Sequence, residues 1–338
     1  MSGERGERVT LRDVAKAAGV SHSTVSRALR GSEIISNQVR DRIREVADSL
    51  GYRPDPMLSA LAKYRSDKQT RAQASQLALV VGPHLKRRYA AFAEAAERHS
   101  LALGYGFEVY VWDSDISARR HSQILKSRGV RGLVLGPLIQ QLEVSHPELE
   151  WDAFSLITFG RFSAQPKLDS VSENQFQAVR LCLAKAYENG YKRPGLVTLE
   201  RTNTRVGDRY RAAFDSHMVT LPRADRVRAL IAEQNIAVKA ERWIEDERVD
   251  AVIGHEFFGD ALKANGFRFP EDLAFLALDK QGSDVGLTSY AGATHDDHEI
   301  ARLAIVSLND QITNGLSGVP VSPKTVLLDT YWTNGDTL

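Results

Sequence analysis

The sequence predicts a small all-α helix-turn-helix head followed by a two-lobed α/β body of doubly wound parallel sheets. Three observations carry that reading. Residues 9–50 hold three short amphipathic segments separated by turn residues. From Leu77 onward, short apolar runs alternate with helical patterns, as parallel strands joined by crossover helices do. Near residue 166 the alternation restarts, which makes two similar halves. The 338 residues suffice for two or three domains. With 43% apolar and 26% charged residues, the chain can bury a core and is not a disordered polymer.

The head comes first. Thr10 and Asp13 have capping-box spacing, and Leu11, Val14, Ala15 and Ala18 then share one helical face. Gly19 stops this helix, because glycine tolerates the positive φ of a helix terminus. Ser21 can cap a second helix, from about His22 to Leu29, that turns Val25, Ala28 and Leu29 inward. Its outer face offers His22, Ser23, Thr24, Ser26 and Arg27. A third helix starts near Ser36, with Val39, Ile43, Val46, Ala47 and Leu50 as its stripe and Gly51 as its stop. A plain three-helix bundle would share this pattern. The short hydroxyls suit phosphates, however, and an arginine can donate two hydrogen bonds to guanine.

Charge sharpens the contrast between head and body. Residues 1–71 hold fourteen Lys and Arg against nine Asp and Glu, and the remainder holds thirty against thirty-four. A basic head on an acidic body is the distribution expected where only the head meets a polyanion. The single cysteine, Cys182, excludes an intramolecular disulfide and fits a reducing compartment. No apolar run approaches the ~18 residues of a membrane span. Met1 to Arg8 has no apolar stretch, so export by a signal peptide is not expected.

A polar linker covers Tyr64 to Gln76. The body then reads as strands at Leu77–Val81, Phe107–Trp112, Gly132–Leu135 and Phe154–Thr158, with helices from about Arg88 to Leu103 and Ser117 to Ser127 between them. The second half reads as helix Gln175–Asn189, strand Gly195–Leu199, helices Gly207–Phe214 and Val238–Asp246, and strands Ala251–Ile253 and Leu273–Leu278.

Two ordered segments, VTLRDVAKAAGVSHSTVSRALRG from Val9 to Gly31 and GYRP from Gly51 to Pro54, closely resemble the DNA-binding head of LacI/GalR-family transcriptional regulators. Gly129-Val-Arg-Gly132, Gly190-Tyr-Lys-Arg-Pro194, Phe269-Pro-Glu-Asp-Leu273 and Pro323-Lys-Thr resemble that family's periplasmic-binding-protein-like core. The resemblance implies a head over 1–52, a hinge helix and linker over 53–76, and an effector-sensing, dimerising core over 77–338. Within the core, lobe 1 would hold about 77–165 and 295–322, and lobe 2 about 166–294 and 323–338. It implies that His22, Ser23 and Arg27 read bases, and that Thr10, Ser21, Thr24 and Ser26 hold phosphates. Leu61, in the segment Asp55-Pro-Met-Leu-Ser-Ala-Leu-Ala62, would be the wedge that a hinge helix drives into the minor groove. Asp55 and Pro56 depart from the family pattern there.

The resemblance further implies a cytoplasmic homodimer, a repressor on palindromic operator DNA, with no membrane partner. Its small polar effector, a carbohydrate, would bind between the lobes. Asp279 would accept its hydroxyls, and Arg205, His255 and Phe257 would be further contacts. Several positions depart from the pattern. Val206 stands where the family carries arginine, His255-Glu256 where it carries Asn-Asp, and Lys280 where a second Asp is usual. No cofactor, metal or catalytic group is expected. His255-Glu-Phe-Phe-Gly259 lacks the second histidine of a zinc site, and His295-Asp-Asp-His298 lacks a third partner. Gly104-Tyr-Gly106 lacks the third glycine of a dinucleotide loop, and Cys182 falls in an apolar helical stripe. The alternative left open is a cytosolic solute-binding or carbohydrate-active α/β protein whose head makes only protein contacts.

Overall fold

The structure is a computed structural model that describes residues 9–29, 35–52, 75–83, 86, 89–137, 146–160, 164–233, 236–281 and 289–338, the side chains of Ser23, Ser26, Gln281 and residues 236–238 aside. It divides into two compact units, one up to Ala72 and one from Gln73 onward.

In the first unit, α1 (Leu11–Ala18), α2 (His22–Leu29) and α3 (Asn37–Ser49) pack around Val14, Ala15, Ala18, Val25, Ala28, Ile43 and Ala47. The turn between α1 and α2 has the expected chemistry: Gly19 adopts φ +65, and its N–H donates to the carbonyls of Ala15 and Lys16. Arg42 of α3 donates to Ala18 O at 3.1 Å and ties off the same helix end. Two residues of the expected α3 stripe, Val39 and Leu50, are instead exposed, and Val46 is half-buried. Helices as short as α1 and α2 cover only the central part of α3.

The second unit holds two sheets. The first takes β1 (Gln76–Val81), β2 (Gly106–Val111), β3 (Val130–Leu135), β4 (Ser155–Phe159), β5 (Asp169–Glu173) and β11 (Thr325–Leu328), in spatial order β11-β5-β4-β3-β1-β2. The second takes β6 (Pro194–Leu199), β7 (Leu230–Ala232), β8 (Ala251–His255), β9 (Ala274–Gln281), β10 (Ala291–His295) and β12 (Tyr331–Thr333), in order β12-β10-β9-β8-β6-β7. The pairings are parallel except between β10 and β12. Both sheets therefore repeat one doubly wound order, each with its strand order reversing beside its first strand.

Continuous apolar strands dictate this arrangement, because they must be covered on both faces. In β1, Leu77, Leu79 and Val81 enter one core with Phe92 of α4 (Ala90–Ala102). Ala78 and Val80 enter the opposite core with Leu125 of α5 (Ala118–Ser127). In the second lobe, one large core gathers Val179 and Cys182 of α6 (Gln175–Glu188), Phe214 of α8 (Arg209–Met218) and Trp243 of α9 (Ile236–Glu247). A buried Leu or Phe of this kind contributes roughly 1.5–3 kcal/mol.

The structure corrects the expected lobe boundaries. β5 and β11 belong to the first sheet, so the chain crosses between lobes near Asn174 and Asp329 rather than near 166 and 323, while the crossing near Asp296 falls where it was expected. β5 reads Asp-Ser-Val-Ser-Glu, too polar to announce a strand, and β7 has only three residues. The helix expected from Gly207 to Phe214 is α8, which starts at Arg209; a short helix that was not expected, α7 (Glu200–Arg205), precedes it, and Gly207 and Asp208 between the two take positive φ. Helices α10 (Glu256–Ala264) and α11 (Asp297–Asn314) complete the body, α11 lying against the first sheet.

Candidate functional site

On the head, the outer face of α2 is set by its cap. Ser21 Oγ accepts from the Thr24 N–H at 3.1 Å and shares a 2.8 Å hydrogen bond with Thr24 Oγ1. His22 and Arg27 are exposed, and Thr24 is half-buried beside the cap. Thr10 donates its N–H at 2.8 Å and its hydroxyl at 2.6 Å to Asp13 Oδ2. The hydroxyl bond first, then the N–H bond, holds the Asp13 carboxyl below the usual range. A helix with its side chains is about 10–12 Å across, which matches a major groove about 12 Å wide. Ser23 and Ser26 lie on α2, their side chains outside the described residues, as Leu61 is.

In the body, the carboxyl ends of both sheets border one cavity of about 30 Å³. The first lobe lines it with Tyr89, Phe92, Phe159, Gly160, Glu173, Asp297 and Ile300, and the second with Arg205, Val206, Asp279 and His295. Asp279 owes its aim to backbone geometry. Ala277 pairs with Gly292 and Lys280 with Thr294, so Leu278 and Asp279 together oppose Ala293 alone. Such a β-bulge re-aims the side chain it carries. Asp279 sits in it at φ +59, a region that Asp and Asn tolerate better than most residues. The same bulge sends Lys280 the other way. Its buried ammonium donates to Tyr290 O and lies 3.8 Å from Glu256 Oε1, apart from the residues lining the cavity.

His295 is the centre of the cavity's electrostatics. Its Nδ1 lies 3.3 Å from Asp279 Oδ1, and its Nε2 lies 3.1 Å from Asp297 Oδ1. Burial works against its charged form. The hydrogen bond to Asp297 and the charges of Asp279, Glu173 and Asp297 outweigh burial and hold its pKa up at about 9. His295 is thus an imidazolium at neutral pH.

The expected ligand residues separate in the structure. Asp279 and Arg205 both line the cavity. His255 backs it, with Nε2 3.9 Å from Asp279 Oδ2. Phe257 does not line it: it is 46% exposed and stacks on His255 and against Phe258, which is core. The aromatic wall comes instead from the first lobe, where Phe159 stacks on Phe92 at 4.4 Å and meets the Tyr89 ring edge-on at 4.9 Å. His295 and Asp297 were visible in sequence only as a metal-like cluster. Among the described residues, no group of three or more His, Cys, Asp or Glu is arranged to hold a metal. No helix of the described residues is long and apolar enough to cross a membrane.

A helix-turn-helix unit and a two-lobed body with a polar cleft are thus the two parts of this chain. Residues 10–55 match the family model described as bacterial regulatory proteins, lacI family. Among curated relatives, the chain is 32% identical over 190 residues to the HTH-type transcriptional regulator PtxS of Pseudomonas plecoglossicida, a match covering 55% of this chain and 52% of that protein. It is 23% identical to the HTH-type transcriptional regulator KdgR of Bacillus subtilis over 95% of both chains. Among solved structures, the transcriptional regulator CelR–cellobiose complex superposes with a TM-score of 0.56 at 21% identity, covering 98% of this chain and 100% of that one. The head over residues 10–55 is thus of the lacI family of bacterial regulatory proteins, and the whole chain shares its fold with the CelR regulator.

Proposed function

We propose that this chain is a cytoplasmic, sequence-specific transcriptional repressor that binds a palindromic operator as a homodimer and is modulated by a small polar ligand of the carbohydrate class. The observation that carries the reading is α2, which presents His22 and Arg27 outward from a capped helix in a lacI-family head. His22 and Arg27, with Ser23, meet bases, and Thr10, Ser21, Thr24 and Ser26 meet phosphates. Leu61 wedges into the minor groove. One such head contacts few base pairs, so two-fold symmetry supplies the remaining specificity.

Asp279 and Arg205 in the cleft, with His255 behind them, suit hydroxyl-rich ligands, and the CelR structure holds cellobiose. The 30 Å³ cavity has room for one or two waters, so a sugar ring enters only as the lobes part. Ligand thereby prefers one lobe arrangement, the condition for control of DNA binding, at a typical coupling of ~1–3 kcal/mol.

The test is fluorescence anisotropy on DNA recovered by selection from genomic fragments, with the full chain and with residues 73–338, at several salt concentrations. The full chain is expected to bind with an affinity that falls steeply with salt, as counterion release requires. The shortened body is expected not to bind, yet to sediment as a dimer. Equal binding by the shortened body, or no binding by the full chain at low salt, overturns the reading. A monomeric body at micromolar concentration overturns the dimer.

A further inference from the structure

We propose that Asp297 is a ligand-binding residue, and that the effector is a polyhydroxylated molecule donating one hydroxyl to Asp297 in the first lobe and another to Asp279 in the second. This rests on the carbohydrate reading of the cleft and goes beyond it in naming a residue, an atom and a ligand geometry.

The geometry starts at the helix end. Asp297 is the first residue of α11, directly after the position where an aspartate ordinarily serves as a cap. That role is taken by Asp296, whose Oδ1 accepts from the His298 N–H at 2.9 Å and the Glu299 N–H at 3.1 Å. Asp297 points instead into the cavity, with its side chain only 6% exposed. Its Oδ1 is held by His295 at 3.1 Å. Its Oδ2 is buried and accepts no hydrogen bond. A buried carboxylate oxygen left unbonded is costly, and such groups in native proteins have a reason for being there. Here the oxygen lines the same cavity as Asp279, across the lobe boundary.

The surroundings select the donor. A ligand ammonium at Asp297 Oδ2 would sit against the His295 imidazolium that already holds the same carboxylate. A neutral hydroxyl meets no such repulsion and makes a charge-assisted bond. The His295 cation lies between the two carboxylates, hydrogen-bonded to Asp297 and ion-paired with Asp279, which holds the two acceptors close to one another. A ligand with hydroxyls on both sides then ties one lobe to the other, whereas a ligand with a single donor reaches only one of them.

The experiment uses the full chain and its Asp297→Asn variant with a panel of common aldohexoses and aldopentoses. The monodeoxy analogues of the sugar that wild type binds best complete the panel, and affinities come from calorimetry. In wild type, two monodeoxy analogues are expected to bind at least tenfold more weakly than the parent. In Asp297→Asn, the parent falls to the level of one of those analogues, and that analogue binds as it does to wild type. An Asp297→Glu variant, which keeps the charge but moves the oxygen, loses the same discrimination and serves if the Asn variant does not fold. Equal weakening of parent and all analogues overturns the proposal, because a merely structural role does that. A sugar that loses affinity in Asp279→Asn but not in Asp297→Asn leaves the carbohydrate reading standing and overturns this one. No wild-type binding across the panel overturns both.

Discussion

His295 and Asp297 stand two residues apart in sequence and on opposite lobes, and their side chains meet at 3.1 Å across the crossover between them. His295 ends β10 of the second sheet, and Asp297 opens α11 against the first. A charged hydrogen bond thus spans one of the points about which the lobes can rotate.

Stability should follow the charge of His295. Its pKa rises from 6.5 to about 9 in the folded chain, so its contribution is fully present below pH 6.5 and is lost as pH climbs through about 9. A shift of this size corresponds to roughly 3 kcal/mol. The melting temperature of His295→Gln should lie below that of wild type at pH 6, and the gap should narrow steadily toward pH 9.5. A constant gap across that range would show that the imidazole carries no stabilising charge.

Arg27→Ala should weaken specific DNA binding by roughly 1–3 kcal/mol and relax the preference at one base pair of each half-site, as loss of a bidentate base contact does. Replacing Lys63 or Arg65, in the linker segment outside the described residues, should weaken all sequences alike. Selection of binding sites from a random pool distinguishes the two. An unchanged consensus for the Arg27 variant would mean that its guanidinium holds only a phosphate.

At Asp279 the backbone decides which substitution is informative. Its φ of +59 suits Asn but strains Ala. Asp279→Asn should therefore add no backbone strain, lose the share of stability that Asp279 supplies through the His295 cation, and lose ligand affinity, with ligand-free operator affinity unchanged. Asp279→Ala should in addition lose about 1 kcal/mol of stability to backbone strain. A thermal-shift screen of sugars on the three proteins measures both effects; a sugar that stabilises all three equally would remove Asp279 from the site.

Cys182 should be chemically silent until the body unfolds. Burial pushes its thiol up to about 12, with the Sγ 3.8 Å from Ala277 O in the core of the second lobe. A disulfide reagent at pH 8 should label it at the rate of global unfolding and fully in guanidinium. Rapid labelling of the native chain would show that α6 opens locally.

The head was legible because each of its signals is local. Gly19, Ser21 and the Thr10–Asp13 pair act within four residues of themselves, and all three do what their spacing predicts. The sheet strands were legible where burial on both faces makes them apolar throughout, as in β1 and β9. The cleft was legible only in part. Arg205 and Asp279 could be placed from the strands they follow. No local rule, however, shows a bulge at Asp279, because the extra residue is defined by its register against β10. The pairing of Asp279 with His295, and the freeing of Asp297 by Asp296, are likewise long-range or competitive effects. Phe257 misled for the same reason: aromatic character is local, but which lobe supplies the wall of the cleft is not.

The three crossings between lobes have a further consequence, for the order in which the chain is made. The first sheet begins at Gln76 yet takes its last strand from Thr325–Leu328, and the second takes its last from Tyr331–Thr333. The side-chain amides of Asn174 and Gln177 donate to Asp329 Oδ1 and Thr330 O. The head can fold as soon as it leaves the ribosome, but neither lobe can close its sheet until residues beyond 325 have emerged. During synthesis at roughly 5–20 residues per second, the growing chain spends about ten seconds or more as a finished head on an unfinished body. For that interval a nascent chain carries a finished lacI-family head with no completed cleft behind it.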